Sequence, residues 1–451
     1  ASADESGIER ARRRIESADR ADMREGVEYI RASCGEVASP GAVDDEAPDP
    51  EPVSDDRLRA EARALFERVV EAGIETPDSH HWATVKPWTA GNGEPLALLP
   101  ADDSLYFGRC GIALLGAGLH RVTDESTYRE FALDAVRPVR EALSAGRDAS
   151  ALDHLGGATG VGSVAYGLAA VGDLLEEPSA IEDATRVGEV LSGDRIAADH
   201  DYDVVGGAAG TILGLLAVND RRASPELVDV AVACGEHLLD ASLDRPDGIA
   251  WETFDGTEPL TGFAHGAAGI AYALARLSDA TGRDDFRDAA LDAIRYEAST
   301  YDPGACNWPD YRTDERHDEF TDQWCHGRSG IGLARIGTAE YVDGDLVTRG
   351  VDRAASAFDD ELVMLDHLCC GNAGRATFLL EAERRYDRRV GRARAHLGAT
   401  LARKEATGSY QLHSYTEQIT DPTLFMGLSG IGYAMLRTTA PEDLPAVLLW
   451  E

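Results

Sequence analysis

The chain carries seven copies of a glycine motif, G-x-x-G, spread between residues 108 and 430. A single copy would carry no information, but seven copies at steps of about 44 to 61 residues indicate an internal repeat, and a repeat defines architecture. The seven copies are Gly108–Gly111, Gly157–Gly160, Gly207–Gly210, Gly266–Gly269, Gly327–Gly330, Gly371–Gly374 and Gly427–Gly430.

Each motif opens a segment of apolar and small residues, for example 111–119 and 269–277. Such segments are apolar on most sides, as a buried helix must be. Amphipathic stretches lie between them, for example 128–143, 225–243 and 286–301. Each repeat is therefore predicted to contain one outer amphipathic helix and one inner buried helix.

Seven helix pairs predict an all-α fold, a closed α/α toroid, or barrel. An open stack would need polar capping repeats at its ends, and the sequence shows none. A glycine at a helix N-terminus lets the backbone turn sharply and approach a neighbour. It also leaves N–H groups free. We therefore expect all seven G-x-x-G loops at one mouth of the barrel, where any chemistry belongs.

The domain boundary is predicted near residue 56. Residues 57–451 contain a helical stretch at 57–72 and then the repeats. Within residues 1–56, the pattern at 8–34 is helical, and 35–56, rich in Pro, Ala, Asp and Glu, is typical of a linker. The chain has no apolar run long enough for a membrane span, so no membrane partner is expected. Its start lacks the pattern of a secretory signal.

The chain is strongly acidic, with 81 Asp and Glu against 43 Lys and Arg and a formal charge of −38. A nucleic-acid partner is not expected, because phosphates would be repelled. A disordered acidic tail is one alternative, yet the acids are spread over the predicted helices. We interpret the excess as an adaptation to high salt, where screening shortens the reach of repulsion. A halophilic source is a hypothesis.

Seven cysteines, an odd number, are not spaced like a disulfide framework. Reduced thiols fit better and predict a cytoplasmic location. Three of them precede a repeat glycine: Cys325, and the adjacent Cys369 and Cys370. Buried free thiols are the alternative, but three thiols so placed favour a metal. A catalytic zinc site uses three protein ligands and keeps one position open. The other four are interpreted as structural: Cys34, Cys110, Cys234 and Cys306.

These motifs, G-x-x-H-G-x-x-G around His265, W-C-x-G-x-x-G around Cys325 and C-C-G-x-x-G around Cys369 and Cys370, resemble the lanthionine synthetase C-like cyclases over roughly residues 75–446. The segment 103–108 is similar to the class II (LanM-type) synthetases, in which a dehydratase precedes the cyclase. Residues 8–34 resemble the last helices of such a dehydratase. The resemblance thus implies an upstream dehydratase domain in the same polypeptide.

The resemblance implies zinc held by Cys325, Cys369 and Cys370. Most members have Cys-His at the adjacent pair, and this chain resembles the Cys-Cys subgroup. The implied enzyme closes thioether rings, (methyl)lanthionines, in a ribosomal precursor peptide, its substrate partner. Peptide Cys thiols add to dehydroalanine or dehydrobutyrine. His265 matches the family's H-G motif and is the candidate general acid. Asp203 matches a family Asp and would orient His265 and raise its pKa.

Alternatives stay open for several of these residues. His265 could be a structural imidazole, and Asp203 could cap the inner helix. Some members have an Arg four residues before the first zinc Cys, where this chain has Thr321. Some have Tyr directly after that Cys, where this chain has His326. We take His326 as a second candidate acid or, alternatively, a ligand.

Two other functions compete with the cyclase. One is an α/α-barrel glycosidase, which would use paired carboxylates and no metal triad. The other is a zinc-containing module that binds a thiol or peptide without closing rings.

Overall fold

The structure, a computed structural model, describes most of the chain from residue 53 onward. The described ranges are 53–75, 80–87, 96–146, 151–254, 258–312, 320–358, 360–412 and 420–451. The predicted helix at 8–34, and with it the assignment of residues 1–56 to an upstream domain and linker, lies outside these ranges but for its last residues.

An inner ring of buried helices follows the repeat glycines. Helix labels are numbered in chain order. Each of seven helices in the described part of the chain begins directly after a glycine N-cap, and most of its residues are buried. The inner helices are α2 (Arg109–Thr123), α4 (Val161–Leu174), α7 (Ala208–Arg221), α9 (Ala267–Thr281), α11 (Arg328–Thr338), α13 (Asn372–Tyr386) and α15 (Leu428–Thr439).

An outer layer of amphipathic helices surrounds this ring. Each outer helix buries one apolar stripe, as Phe131, Ala135 and Val139 do in one of them, and exposes its charged side. The outer helices in the described ranges are α1 (Asp55–Glu71), α3 (Ser126–Ser144), α5 (Pro178–Thr185), α8 (Pro225–Ala241), α10 (Asp284–Ser299), α12 (Asp345–Ser356) and α14 (Arg392–Thr407), with a short α6 (Gly193–Ala197) and a 3₁₀ turn at Arg186–Val190 between α5 and α7.

The ring is closed. Successive inner helices pack against one another, and α15 packs against α2. Helix α1 packs on α15. Each of the remaining long outer helices packs on the inner helix that precedes it in the sequence. The seventh pair is thus made from the two ends of the described chain. The predicted closed α/α toroid of seven pairs is confirmed, and α1 supplies the outer helix of its seventh pair.

The second repeat differs from the others in register. Its helix α4 begins after Gly160, the last glycine of its motif, whereas the other inner helices begin after the first. Ser163 therefore takes the place that a second glycine has elsewhere, and its hydroxyl donates to the Gly160 carbonyl at 2.5 Å. The earlier Gly157 lies in the loop instead, where its N–H donates to the Val204 carbonyl.

Three two-stranded antiparallel sheets accompany the helices in the described part of the chain. The sequence did not predict them, because a hairpin of two to five residues per strand leaves no periodic signal. In the β3–β4 hairpin, Val85 pairs with Leu98, and Lys86 Nζ lies 2.7 Å from an Asp102 carboxylate oxygen near the first repeat loop. The strands are β1 (Ile74–Glu75), β2 (His80–His81), β3 (Ala83–Pro87), β4 (Leu96–Pro100), β5 (Leu243–Arg245) and β6 (Gly248–Ala250).

The centre of the ring is filled by the last residues of the sequence. A 3₁₀ turn at Val447–Leu449 leads to Trp450, which is fully buried. The Trp450 indole N–H donates to the Gly157 carbonyl at 2.9 Å. Its ring lies 6.2 Å from Trp324 and 6.5 Å from Phe425, measured between centroids. Since these partners come from three different repeats, Trp450 sits on the axis of the toroid, beneath the repeat loops.

None of the described helices combines the length and the apolar character needed to cross a membrane.

Candidate metal centre

The repeat loops lie side by side at one mouth, joined by backbone hydrogen bonds from one loop to the next. The N–H of Val204 donates to Ala264 at 3.0 Å, and that of Ala264 to Cys325 at 3.3 Å. In turn Cys325 donates to Cys369 at 3.4 Å, and Cys369 to Phe425 at 3.0 Å. This ladder joins the loops of five successive repeats, from the third to the seventh. Its first and last residues, Val204 and Phe425, lie more than two hundred positions apart in the sequence.

Three cysteine sulfurs meet in this ladder. The Sγ atoms of Cys325, Cys369 and Cys370 all lie within 4.8 Å of one another. The Cys370 sulfur is 3.4 Å from Cys325 and 3.4 Å from Cys369. Cys325 and Cys369 are buried, and Cys370 is half-buried. The sequence-predicted cysteines are therefore adjacent in space, and one of them faces the opening.

The three sulfurs fit a tetrahedral zinc ion. A Zn–S bond of ~2.3 Å implies sulfur–sulfur distances of about 3.8 Å in a tetrahedral site, close to the separations seen. Three thiolates also suit zinc chemically, because soft sulfur ligands select it over calcium or magnesium. With three ligands on the protein, the fourth position is left for another molecule.

The thiols also share their protons. Hydrogen bonds from Cys325 and Cys370 hold the pKa of Cys369 well below its usual range. Hydrogen bonds with Cys325 and Cys369 raise the pKa of Cys370.

His265 and Asp203 form a pair beside the sulfurs. His265 Nδ1 lies 2.5 Å from Asp203 Oδ2. The other Asp203 oxygen accepts the N–H of Gly206 at 2.8 Å. The alternative role predicted for Asp203 was to cap the inner helix. In the structure Asp199 does this: its carboxylate accepts the first N–H of α7, that of Ala208, at 2.9 Å. Asp203 is thus placed to orient the imidazole.

Burial opposes a charge on His265, but the Asp203 carboxylate outweighs it and raises the pKa of the imidazole. The His265 side chain is 24% exposed, against 5% for Asp203. Since Nδ1 is bonded to Asp203, the Nε2 of His265 is the nitrogen left to meet a substrate in the mouth.

His326 lies behind His265. The two rings are stacked with centroids 5.6 Å apart, and His326 is only 2% exposed. Its Nδ1 is 3.8 Å from an Asp310 oxygen. Burial lowers the pKa of His326 to about 4. Its nitrogens are not among the ligand atoms of the three-cysteine cluster in the described residues.

Sequence reasoning missed three neighbours of the cluster. The Tyr106 hydroxyl donates to the Met426 sulfur at 3.3 Å, and burial together with the nearby Cys369 and Cys370 raises the pKa of the phenol. Arg312 makes a bidentate contact with the Asp310 carboxylate: Nη2 donates to Oδ2 at 2.6 Å and Nε donates to Oδ1 at 3.0 Å. Burial works against the Arg312 charge, but Asp310 and the Cys325 sulfur raise its pKa. Tyr106 had a signal, its place in the segment 103–108, whereas Arg312 and Asp310 follow no repeat motif.

Thr321 stands where some relatives have Arg. Its hydroxyl donates to the His326 carbonyl at 3.2 Å, and its own carbonyl accepts from Asn307 at 2.8 Å. It supports the loop and brings no charge. The positive charge beside the sulfurs comes instead from Arg312, which lies on an earlier part of the same connection.

The remaining described cysteines lie away from the cluster. Cys110 and Cys234 are buried, and burial raises the pKa of both thiols. Cys306 is exposed. The described cysteines form no disulfide, and Cys34 lies outside the described residues.

A seven-pair α/α toroid with three thiols and a His–Asp pair at its mouth defines a narrow class of protein. The profile of the family described as "Lanthionine synthetase C-like protein" matches residues 100–449. The chain therefore belongs to the lanthionine synthetase C-like family.

The chain is also similar to solved structures. The chain is similar to a structure named "Nisin cyclase", with a TM-score of 0.54 and 17% identity, covering 87% of this chain and 97% of that one. An unsaturated glucuronyl hydrolase from Bacillus sp. GL1 has a TM-score of 0.46 and 16% identity, covering 78% of this chain and 98% of that one.

Proposed function

We propose that the chain is a zinc-dependent cyclase that adds peptide Cys thiols to dehydroalanine or dehydrobutyrine, forming (methyl)lanthionine rings in a ribosomal precursor peptide. One observation carries this proposal: three thiols within 4.8 Å of one another at the mouth of the toroid, close to a His–Asp pair. Membership of the lanthionine synthetase C-like family supports it.

Cys325, Cys369 and Cys370 would hold the zinc. When bound, zinc supplies an open position that binds a substrate thiol and lowers its pKa, so that the thiolate is available at neutral pH. The half-buried Cys370 marks the side of the cluster that a peptide can approach.

His265 would move the proton. Addition forms a bond between the thiol sulfur and the β-carbon, and the alkene electrons pass to the carbonyl as an enolate. The Nε2–H of His265 then delivers a proton to the α-carbon, and the proton released by the thiol restores the imidazolium. Asp203 raises the pKa of His265, which favours the protonated ring, and its hydrogen bond to Nδ1 would hold the ring in place. Atoms balance, since the product is an isomer of the substrate.

We assign the acid role to His265 rather than His326 on exposure. The His265 side chain is 24% exposed, whereas His326 is 2% exposed and lies beneath it. His326 packs against the His265 ring and would limit how that ring can turn.

The test is metal analysis together with incubation of the chain with a dehydrated, Cys-containing peptide. We expect about one zinc per chain and loss of the free peptide thiol at constant mass. Cys325→Ala should lose both. Zinc present without thiol loss would contradict the cyclase and favour a binding module. Activity that survives removal of zinc would contradict the metal's role.

We also propose that the chain acts in the cytoplasm as the cyclase part of a class II synthetase, with a dehydratase domain in the same polypeptide. The support is the segment 103–108 and the resemblance of residues 8–34 to the end of a dehydratase. Sequencing the gene upstream of Ala1 tests this directly, and an unrelated upstream segment would contradict it.

A further inference from the structure

The residue directly before the glycine N-cap of each inner helix holds an equivalent position in the seven repeat loops. In six loops the N-cap glycine is extended, with φ between −140° and −107°, so the preceding residue is presented in the same way. These six residues are half-buried, and two of them, His265 and Cys370, belong to the site already described. The seven positions, from the first repeat to the seventh, are Phe107, Thr159, Gly206, His265, His326, Cys370 and Met426.

His326 is the exception, and its glycine explains why. Among the seven described N-caps only Gly327 has a positive φ, 88°, and His326 is buried. The orientation of this position therefore follows the backbone of the N-cap. By the same rule Phe107 and Met426 are presented to the mouth as His265 and Cys370 are.

Tyr106 joins Phe107 and Met426 into one surface. The Tyr106 and Phe107 ring centroids lie 4.4 Å apart, and the Tyr106 hydroxyl donates to the Met426 sulfur at 3.3 Å. Tyr106 is also stacked on Phe425, with centroids 4.7 Å apart and planes 11° from parallel. Tyr106, Phe107 and Met426 are each half-buried, so part of each side chain is open to solvent. We call these three residues the apolar shelf.

The apolar shelf adjoins the cysteine cluster on the side away from His265. The N–H of Cys369 donates to the Phe425 carbonyl at 3.0 Å, which joins the sixth loop to the seventh. Going round the mouth, the loop of His265 is the fourth, the three cysteines occupy the fifth and sixth, and the shelf occupies the seventh and the first. A substrate thiol at the cluster would thus have His265 on one side and the shelf on the other.

We propose that the apolar shelf is a subsite for an apolar side chain of the precursor peptide, carried by a residue next to the Cys whose thiol reacts. Loops joined by backbone hydrogen bonds lie about 5 Å apart, and consecutive Cα atoms of a peptide are ~3.8 Å apart. A residue next to a Cys held at the cluster therefore reaches the adjoining loop. The substrate in this inference is that of the proposed function, on which it rests.

The chemistry of the shelf favours an apolar occupant. Covering its half-buried side chains removes apolar surface from water, and a thioether such as that of Met426 adapts to partners of different shape. The one hydroxyl of the shelf, that of Tyr106, already donates to Met426. A polar side chain would lose its water here and gain little in return.

The test compares two labelled peptides that contain no dehydro residue and so cannot form a ring. Both carry one Cys in a Gly-Ser background. One peptide flanks this Cys with Leu on both sides, and the other flanks it with Asn, a polar side chain of similar size. In a fluorescence anisotropy titration with the zinc-loaded full chain, we expect the Leu peptide to bind about tenfold more tightly, as partial burial of Leu predicts.

Met426→Gln and Phe107→Gln should each reduce this preference to about twofold or less, because each places an amide in the shelf. Met426→Gln is the milder change, since it keeps the length of the side chain, whereas the Phe107 ring also lies 5.5 Å from Lys86 Nζ. Met364→Gln is the matched control. Met364 is 58% exposed and follows Val363, whose carbonyl accepts from Arg403 of the outer helix α14, so the control should keep the full preference.

Equal binding of the two peptides by the parent chain, or binding of neither, would overturn the proposal, and this comparison requires no variant to fold. A preference that persists in both shelf variants would also overturn it, as would an equal loss of preference in Met364→Gln.

Ring closure is measured separately, on forms of the two peptides that also carry a dehydroalanine. If the proposed function is right, the Leu form should have the lower KM, with kcat little changed. Preferential binding by a chain that closes no rings would refute the cyclase and leave the subsite standing. Ring closure with the same KM for both forms would refute the subsite and leave the cyclase standing.

Discussion

Cys370 sets the charge of the mouth cluster. It is the half-buried member of the three thiols and stands 3.4 Å from each of the other two sulfurs. At this place most lanthionine synthetase C-like proteins have a neutral imidazole. In the proposed zinc site, a third thiolate would put more electron density on the ion, so that a substrate thiolate should be held less tightly and be more nucleophilic.

Cys370→His should therefore slow cyclisation. A change of about one pKa unit in the bound substrate thiol corresponds to ~1.4 kcal/mol, or a rate difference of ~10-fold. The measurement is the rate of thiol loss from a dehydrated peptide at equal zinc content, with the parent chain as control. Faster ring closure in the variant would refute the argument from charge.

Asp203→Asn should lower activity by about 10²–10⁴-fold, the usual contribution of a positioned general acid. The Asp203 carboxylate raises the pKa of His265, so its loss lowers that pKa. If protonated His265 is the acid, activity falls as the pH rises through this pKa, and the variant should lose activity at lower pH than the parent.

The check is a profile of kcat/KM against pH for both chains. Asp199→Asn is not a suitable control, because Asp199 caps α7. Asp194→Asn, on the short helix α6, changes an acid outside the site and should leave the profile unchanged. If kcat/KM fell at the same alkaline pH in Asp203→Asn and in the parent chain, the role proposed for the Asp203–His265 pair would be contradicted. The charged groups that face His265 are Asp203, Cys325, Arg312, His326 and Asp201.

At the scale of elements, each repeat depends on close packing between the first turn of its inner helix and the loop that precedes that helix. In the fifth repeat, a Cβ placed on Gly330 would overlap the Trp324 carbonyl oxygen. The carbonyl groups six residues before the second glycine are in the same position in the fourth, sixth and seventh repeats. The glycine thus allows the loop to fold back over the first turn of the helix, which places Cys325 at the mouth.

Gly330→Ala should destabilise the chain by about 3 kcal/mol or more, since backbone must move to admit one methyl group. Gly193→Ala is the control: its Cβ would meet nothing within 4 Å, and the change should stay within about 0.5 kcal/mol. Urea unfolding followed by circular dichroism gives both values. Equal stability of the two variants would contradict the role assigned to the second glycine.

The whole molecule is stabilised by packing at its centre as well as by the packing of neighbouring helices around the ring. Trp450 is fully buried and contacts residues of several repeats, among them Trp324, which adjoins Cys325, and Phe425, which supports Cys369. The last residues therefore link the barrel axis to the cysteine cluster.

Trp450→Ala should cost about 3–5 kcal/mol, the range for removing a buried aromatic side chain from a packed core. The measurement is again urea unfolding, with Met364→Ala, a change at a side chain 58% exposed, as control. A loss below about 1 kcal/mol would show that the axis is not tightly packed.

The net charge of −38 acts on the whole molecule too. Self-repulsion destabilises a compact acidic chain, and salt screens it. We expect the urea midpoint to rise steadily from dilute buffer to molar sodium chloride. Full stability in dilute buffer would count against the halophilic interpretation.

The repeat, the pairing of inner with outer helices and the three cysteines were all predictable from the sequence. These follow from local rules: a glycine before each buried helix, helical periodicity, and thiols at a fixed offset from the motif. The family resemblance added His265 and Asp203, which the structure places 2.5 Å apart.

The way the ring closes and the residues that surround the sulfurs follow from tertiary packing and could not be predicted. The pairing of α1 with α15, the place of Trp450 on the axis, and the approach of Tyr106 and Arg312 to the cluster join residues far apart in sequence. No periodic pattern marks them, because each depends on where whole helices come to lie. The register of the second repeat could not be predicted for a related reason. Both Gly157 and Gly160 satisfy the motif, and only packing selects which of them precedes the helix.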